Sequence, residues 1–131
     1  MIGQWARRLH PWLSGLFALG VLVQAFLAGA ALAQLGGSGD FSAHIEVGYT
    51  WMGILALVVL IAAGLGRADR AQIWGSIALF VDYIVQTILP NLSGTAPAVA
   101  ALHPVNAILL FSIAAWMFVR GVRAARASGS V

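Results

Sequence analysis

The sequence predicts an all-α membrane protein, an up-down bundle of four transmembrane helices with both termini in the cytoplasm. Three observations predict it. First, 61% of the 131 residues are hydrophobic and 8% are charged, where a soluble domain has about 45–50% and about 25%. A chain this short buries a modest share of its surface, so the apolar surplus must face lipid. Second, four apolar stretches reach the length, about 20 helical residues, that crosses a hydrocarbon core. Third, the basic residues are all arginines, and they fall into three groups that a four-span chain places on one side.

The first span is read at Trp12–Ala33, behind Arg7 and Arg8. Its Ala31-Leu32-Ala33 end imitates a signal-peptide cleavage site, yet the apolar run exceeds the about 7–15 residues of a signal core, so the span is read as retained. Gly36 to Asp40 forms a turn into the second span, His44–Leu65. Gly66 to Arg70 leads to the third, Ile73–Leu89. Pro90 to Thr95 leads to the fourth, Pro97–Val119, where Pro97 suits a first helical turn. Arg120, Arg123 and Arg126 follow. The loops around Asp40 and Asn91 hold neither arginine nor lysine, so the arginine side is predicted to be cytoplasmic. Trp5, Trp12, Trp74 and Trp116 suit an interfacial belt on that side. The links leave no room for a second domain, so residues 1–131 form one integral membrane unit.

These features exclude several functions. Cysteine is absent, which removes disulfides, thiolate metal sites and a cysteine nucleophile. The basic residues sit at helix ends and form no nucleic-acid patch. No Ser/His/Asp triad, phosphate loop or zinc spacing is present, so enzymatic activity is not expected. An arginine-only basic set points to a GC-rich bacterium, and hence to the bacterial cytoplasmic (inner) membrane.

Polar residues inside spans are expensive and therefore informative. They are Gln24, His44, Glu46, Asp82, Gln86, His103 and Asn106, with Tyr49 and Tyr83. At a rise of 1.5 Å per residue, most lie within roughly 14 Å of the outer boundary. All four spans thus contribute to one level, while the inner half is expected to be nearly free of polar groups and His10 to have no ligand role. Asp82 must be protonated or partnered. It is read either as a site or proton-relay carboxyl, or as a protonated packing group beside Gln86 and Gln24.

His44 and His103 open spans two and four, which an up-down bundle puts on a diagonal. Two imidazoles meeting there can serve as axial ligands to the iron of haem b. Ser42 is expected to cap the second helix, keeping His44 in a first turn where a neutral ring is favoured. Gly48, one turn on, would let a flat macrocycle approach the backbone. Asn106 lies one turn from His103 on the same face. Pro104 is expected to kink a helix that begins at Pro97, freeing the carbonyl of Ala100; the alternative is a short helix starting at Pro104.

Ala101-Leu102-His103-Pro104-Val105-Asn106-Ala107 resembles the A-L-H-x-x-N-A opening of the last helix in small uncharacterised bacterial four-helix membrane proteins, known only as a domain of unknown function. Those proteins also carry a histidine near the start of the second helix and a V-Q pair in the first, matched by His44 and Val23-Gln24. Pro104 stands where they have glycine. The resemblance implies a fold and no activity. The histidine pair also looks like a reduced form of the four-helix b-type membrane cytochromes, with one such pair where a transmembrane electron wire would have two.

The sequence thus leads to three expectations. The first is a haem b-binding protein with His44 and His103 as ligands and Gly48 and Asn106 beside the cofactor. It would serve electron transfer to a redox partner, or haem handling. The second is a non-catalytic accessory subunit of a larger membrane complex; self-association into a homo-oligomer is a separate expectation. The third is a small proton-coupled transporter using Asp82. The bilayer is the partner common to all three.

Overall fold

A computed structural model describes residues 1–127, and these are all-helical. Helix α1 runs over Ile2–Ala31. Helix α2 covers Ser42–Leu65, with a π-turn at Val47–Trp51. Helix α3 covers Arg70–Ile88 and continues as a 3-10 turn over Leu89–Leu92. A single-turn helix, α4, spans Pro97–Ala100, and α5 runs from His103 to Ala127. Among the described residues, four helices are long and apolar enough to cross a membrane: α1, α2, α3 with its 3-10 turn, and the Pro97–Ala127 segment.

Helix α1 begins well before the predicted Trp12. Hydropathy marks only the stretch that lipid must cover, whereas here the extra turns are held by packing on the α2–α3 link. Arg7 Nε donates to the Gly66 carbonyl at 2.9 Å. A Cβ on Gly66 would lie 2.7 Å from the Arg7 nitrogen, so glycine is required there by the close approach of the two backbones. The following residue, Arg67, takes the left-handed turn position at φ 46°, a conformation that disfavours a side chain by about 1–2 kcal/mol.

Helix starts follow local hydrogen bonding. Ser42 is not the cap expected at α2. It is the first helical residue, and its N–H donates to Asp40 Oδ1 at 2.8 Å; that bond holds the Asp40 carboxyl below its ordinary range. Asp69 caps α3 by accepting from the N–H groups of Ala71 at 2.9 Å and Gln72 at 3.1 Å. Arg120 donates to the same carboxylate at 3.3 Å. Burial pushes the Asp69 carboxyl up, but the Gln72 amide and Arg120 outweigh it, and the group sits below its ordinary range.

The last span also departs from expectation. There is no long helix kinked inside by Pro104. The chain turns at Ala101 and Leu102 and restarts at His103, placing Pro104 in a first turn where its missing N–H leaves no intrahelical bond unmade. The Asn106 N–H donates to the Leu102 carbonyl at 2.8 Å, closing the first bond of the new helix. The late start does not leave a short helix, because α5 continues to Ala127, past the predicted end at Val119.

Helix α1 packs against α2 and α5, and α3 packs against the same two. The diagonals are therefore α1/α3 and α2/α5. Phe17, Ala56, Val59, Leu79, Ala114 and Met117 fill the centre. The outer faces are apolar as well: Phe26, Ile54, Trp74 and Ile108 are among many large exposed hydrophobic side chains.

The half nearer the arginines is not free of polar groups. His10 is 2% exposed, and Ser14, Gln72 and Ser76 are buried beside it. Ser76 Oγ donates to the Gln72 carbonyl at 2.9 Å, which leaves it to accept from His10 Nε2, also at 2.9 Å. Gln72 Nε2 donates to the Met117 carbonyl at 3.0 Å and so ties α3 to α5. His10 and Gln72 fall just outside the predicted spans and Ser14 and Ser76 in their first turns, where hydropathy treats them as interfacial. The longer α1 brings His10 inside the bundle.

Candidate functional site

At the end opposite the arginines, every long helix delivers a polar side chain to one cluster. Helix α1 supplies Gln24, α2 supplies His44, α3 supplies Gln86 with Asp82 and Tyr83 alongside, and α5 supplies His103 and Asn106. Within the cluster, His44 and His103 meet across the α2/α5 diagonal with ring centroids 6.2 Å apart and an interplanar angle of 76°. Phe41 stands edge-on to His44 with its centroid 6.2 Å away.

His103 is held on both edges by one residue. Its Nδ1–H donates to the Gln86 carbonyl at 3.1 Å. Its Nε2 then accepts, at 3.4 Å, from the Gln86 side-chain nitrogen. Asn106 sets that orientation, since its Nδ2 donates to Gln86 Oε1 at 2.9 Å and leaves the amide nitrogen facing the imidazole. Asn106 also reaches the Asp82 main-chain carbonyl at 3.4 Å.

His44 has two rival partners on one nitrogen. The Gln24 carbonyl lies 3.1 Å from Nδ1 and can accept from it. The Gln24 carboxamide satisfies its surroundings in one orientation: its nitrogen donates to the His44 carbonyl at 3.0 Å and to Nδ1 at 2.7 Å, and its oxygen accepts from the Gly48 N–H at 2.8 Å. The shorter contact makes Nδ1 an acceptor and puts the proton on Nε2. Turning the amide away restores the other tautomer, with Nδ1–H on the carbonyl and a free lone pair on Nε2.

The π-turn in α2 belongs to the same region. A widened turn displaces carbonyls from their usual helical partners. The Tyr83 hydroxyl, with one proton to share, lies 3.0 Å from the Gly48 oxygen and 2.9 Å from the Tyr49 oxygen. A Cβ on Gly53 would sit 2.7 Å from that hydroxyl, so Gly53 makes the seat for Tyr83. Closer to the loop, Tyr49 donates to the Thr87 carbonyl at 3.0 Å, and Asn91 Nδ2 donates to the Tyr49 hydroxyl at 3.1 Å.

The candidate residues thus have distinct placements. His44, His103, Gln24, Gln86 and Asn106 converge. Asp82 is adjacent, with Oδ2 buried and without a hydrogen-bond partner. Glu46 is exposed and outside the cluster. Gly48 does not offer the bare face expected for a macrocycle: the Gln24 amide lies where its Cβ would point, 3.4 Å off at the nearest atom. Tyr83 carries more of the local structure than its sequence position suggests, and Gly53 amid larger residues is the one trace of it. The His10 cluster was missed because none of its members looks unusual at a helix end.

Among the described residues, no three His, Cys, Asp or Glu side chains converge as a metal site. His44 and His103 meet there as two imidazoles, with ring nitrogens facing the Gln24 and Gln86 groups. Two cavities open elsewhere, one of about 370 Å³ at the arginine end and one of about 390 Å³ between α1 and α2, and neither is lined by His44 or His103. Comparison with known protein families, curated proteins and solved structures finds no match.

Proposed function

We propose that the chain is a multi-pass protein of the bacterial cytoplasmic membrane that binds one haem b between His44 and His103, for electron transfer or haem handling. The arginine end faces the cytoplasm in this reading, and the histidine cluster lies in the outer half. One observation carries it: imidazoles from diagonally opposed helices meet with centroids 6.2 Å apart.

The donor chemistry fits the group. A ligating imidazole uses its second nitrogen to donate to a carbonyl or carboxylate. His103 already does so through the Gln86 carbonyl, and His44 does so once the Gln24 amide turns. Two imidazoles without a third protein ligand suit a metal whose other positions a macrocycle occupies. When bound, the haem supplies one-electron chemistry. The chain's own residues orient the two rings, and the Gln24 and Gln86 amides guard their nitrogens and must yield to the cofactor. Asn106 holds Gln86 in place.

The deciding measurement is the absorption spectrum of protein purified from its native membrane. A Soret band is expected in the wild type and its loss in both His44→Ala and His103→Ala. A colourless protein removes the proposal, and a band unchanged in either variant removes that residue as a ligand.

A second reading, an accessory subunit of a larger membrane complex, is favoured by the last span. Only 11% of its most apolar stretch is buried within the chain. That reading expects a colourless protein that co-purifies with partners and tolerates alanine at both histidines.

A further inference from the structure

The cavity at the arginine end lies between the first turns of α1 and the α2–α3 link, with a volume of about 370 Å³. Gln4, Arg7, Gly66 and Arg67 are among its lining residues. Two arginines therefore border one opening, and no acidic residue is among its lining residues. The nearest acidic residue along the chain, Asp69, is engaged by Arg120 at 3.3 Å. That is the ion pair present among the described residues. Arg7 is anchored by the bond from Nε to the Gly66 carbonyl, which leaves its terminal nitrogens without a protein partner among the described residues.

Arg67 is the informative member. It is the non-glycine residue at positive φ among the described residues. Glycine would be the ordinary occupant of that left-handed position after a helix. Here the glycine stands one residue earlier, at Gly66, because α1 approaches too closely there for a Cβ. A charge bias that orients the helices asks only that arginines lie in this link. It does not ask for an arginine at the one strained position, beside a second arginine and an open cavity.

We propose that this cleft is a binding site for a phosphate-ester anion, held by the guanidinium groups of Arg7 and Arg67. Guanidinium offers a planar fork of donors that matches phosphate oxygens. Basic pockets beside helix ends on the cytoplasmic side of a membrane are suited to anionic headgroups. The same chemistry is carried by a lipid headgroup such as phosphatidylglycerol and by a soluble phosphate ester.

The test uses the full chain in phosphatidylcholine nanodiscs near physiological salt, titrated with phosphatidylglycerol or with inorganic phosphate. Retained lipid is counted by native mass spectrometry. Wild type is expected to retain phosphatidylglycerol about tenfold over phosphatidylcholine. Arg67→Gly relieves the backbone, so its melting temperature should hold or rise while that preference falls to near unity. Arg67→Lys should keep part of the preference, and Arg123→Gln, outside the cavity lining, all of it. If inorganic phosphate binds in an Arg67-dependent way but phosphatidylglycerol gains no preference, the source is a soluble phosphate and the site stands. Undiminished retention in Arg67→Gly overturns the proposal, as does binding of neither anion by the wild type. None of these readouts requires haem, so the outcome is independent of the histidine centre.

Discussion

Gln24 decides what His44 presents to the bundle interior. Its amide nitrogen, 2.7 Å from Nδ1, competes with its own main-chain oxygen at 3.1 Å. In the ligand-free wild type, the closer donor is expected to hold the proton of His44 on Nε2. Replacing Gln24 by leucine removes that donor and keeps the carbonyl, so the proton should move to Nδ1. Nitrogen-15 spectra of histidine-labelled protein report the tautomer directly; a wild-type ring already protonated on Nδ1 refutes this account. If haem binds as proposed, the same substitution should strengthen its binding, since Nε2 is then free. His103 needs no such change of tautomer, because its Nδ1 already donates to the Gln86 carbonyl; at Nε2 it is the Gln86 side-chain amide that must move aside.

At the scale of elements, each helix start is set by a few groups. The Asp69 carboxylate serves both the first turn of α3 and Arg120 of α5. Asp69→Ala should cost about 0.5–2 kcal/mol, the range for loss of an N-terminal cap. The pH dependence follows from the lowered Asp69 pKa. A carboxyl lowered in the folded state is stabilising above its unfolded value, about 3.9. That contribution is lost as pH falls through the folded-state value. Thermal melts of the wild type should therefore weaken below about pH 4, and those of Asp69→Asn should weaken less over the same interval. An identical acid dependence in the two proteins contradicts the assignment. The π-turn of α2 and the restart of α5 at His103 act together on the site: one is stabilised by Tyr83, and the other puts His103 in a first turn directed at α3.

At the scale of the molecule, the absence of cysteine makes the proposed orientation easy to test. In intact cells, a membrane-impermeant maleimide should label Ser38→Cys in the α1–α2 loop. It should reach Ala68→Cys in the α2–α3 link only after the membrane is opened. The reverse pattern inverts the bundle and puts the histidine cluster on the cytoplasmic side. The arginines then also face the wrong compartment for the anion cleft, so this experiment bears on both proposals.

Composition, span lengths and arginine placement were enough to read four membrane-length helices, because lipid demands long apolar runs and arginines gather at their ends. The level shared by Gln24, His44, Gln86, His103 and Asn106 was legible for the same reason: polar groups in lipid-crossing segments are few, and helical rise converts position into depth. Tertiary contact alone decided the rest. The extra turns of α1 depend on Gly66 and Arg7 approaching closely, and the buried His10 follows from them. The filling of the Gly48 face by Gln24, and the seat that Gly53 makes for Tyr83, depend on how neighbouring helices rotate. Hydropathy reports what lipid will tolerate along one helix; which side chains fill the space between helices is set by packing across partners distant in the chain.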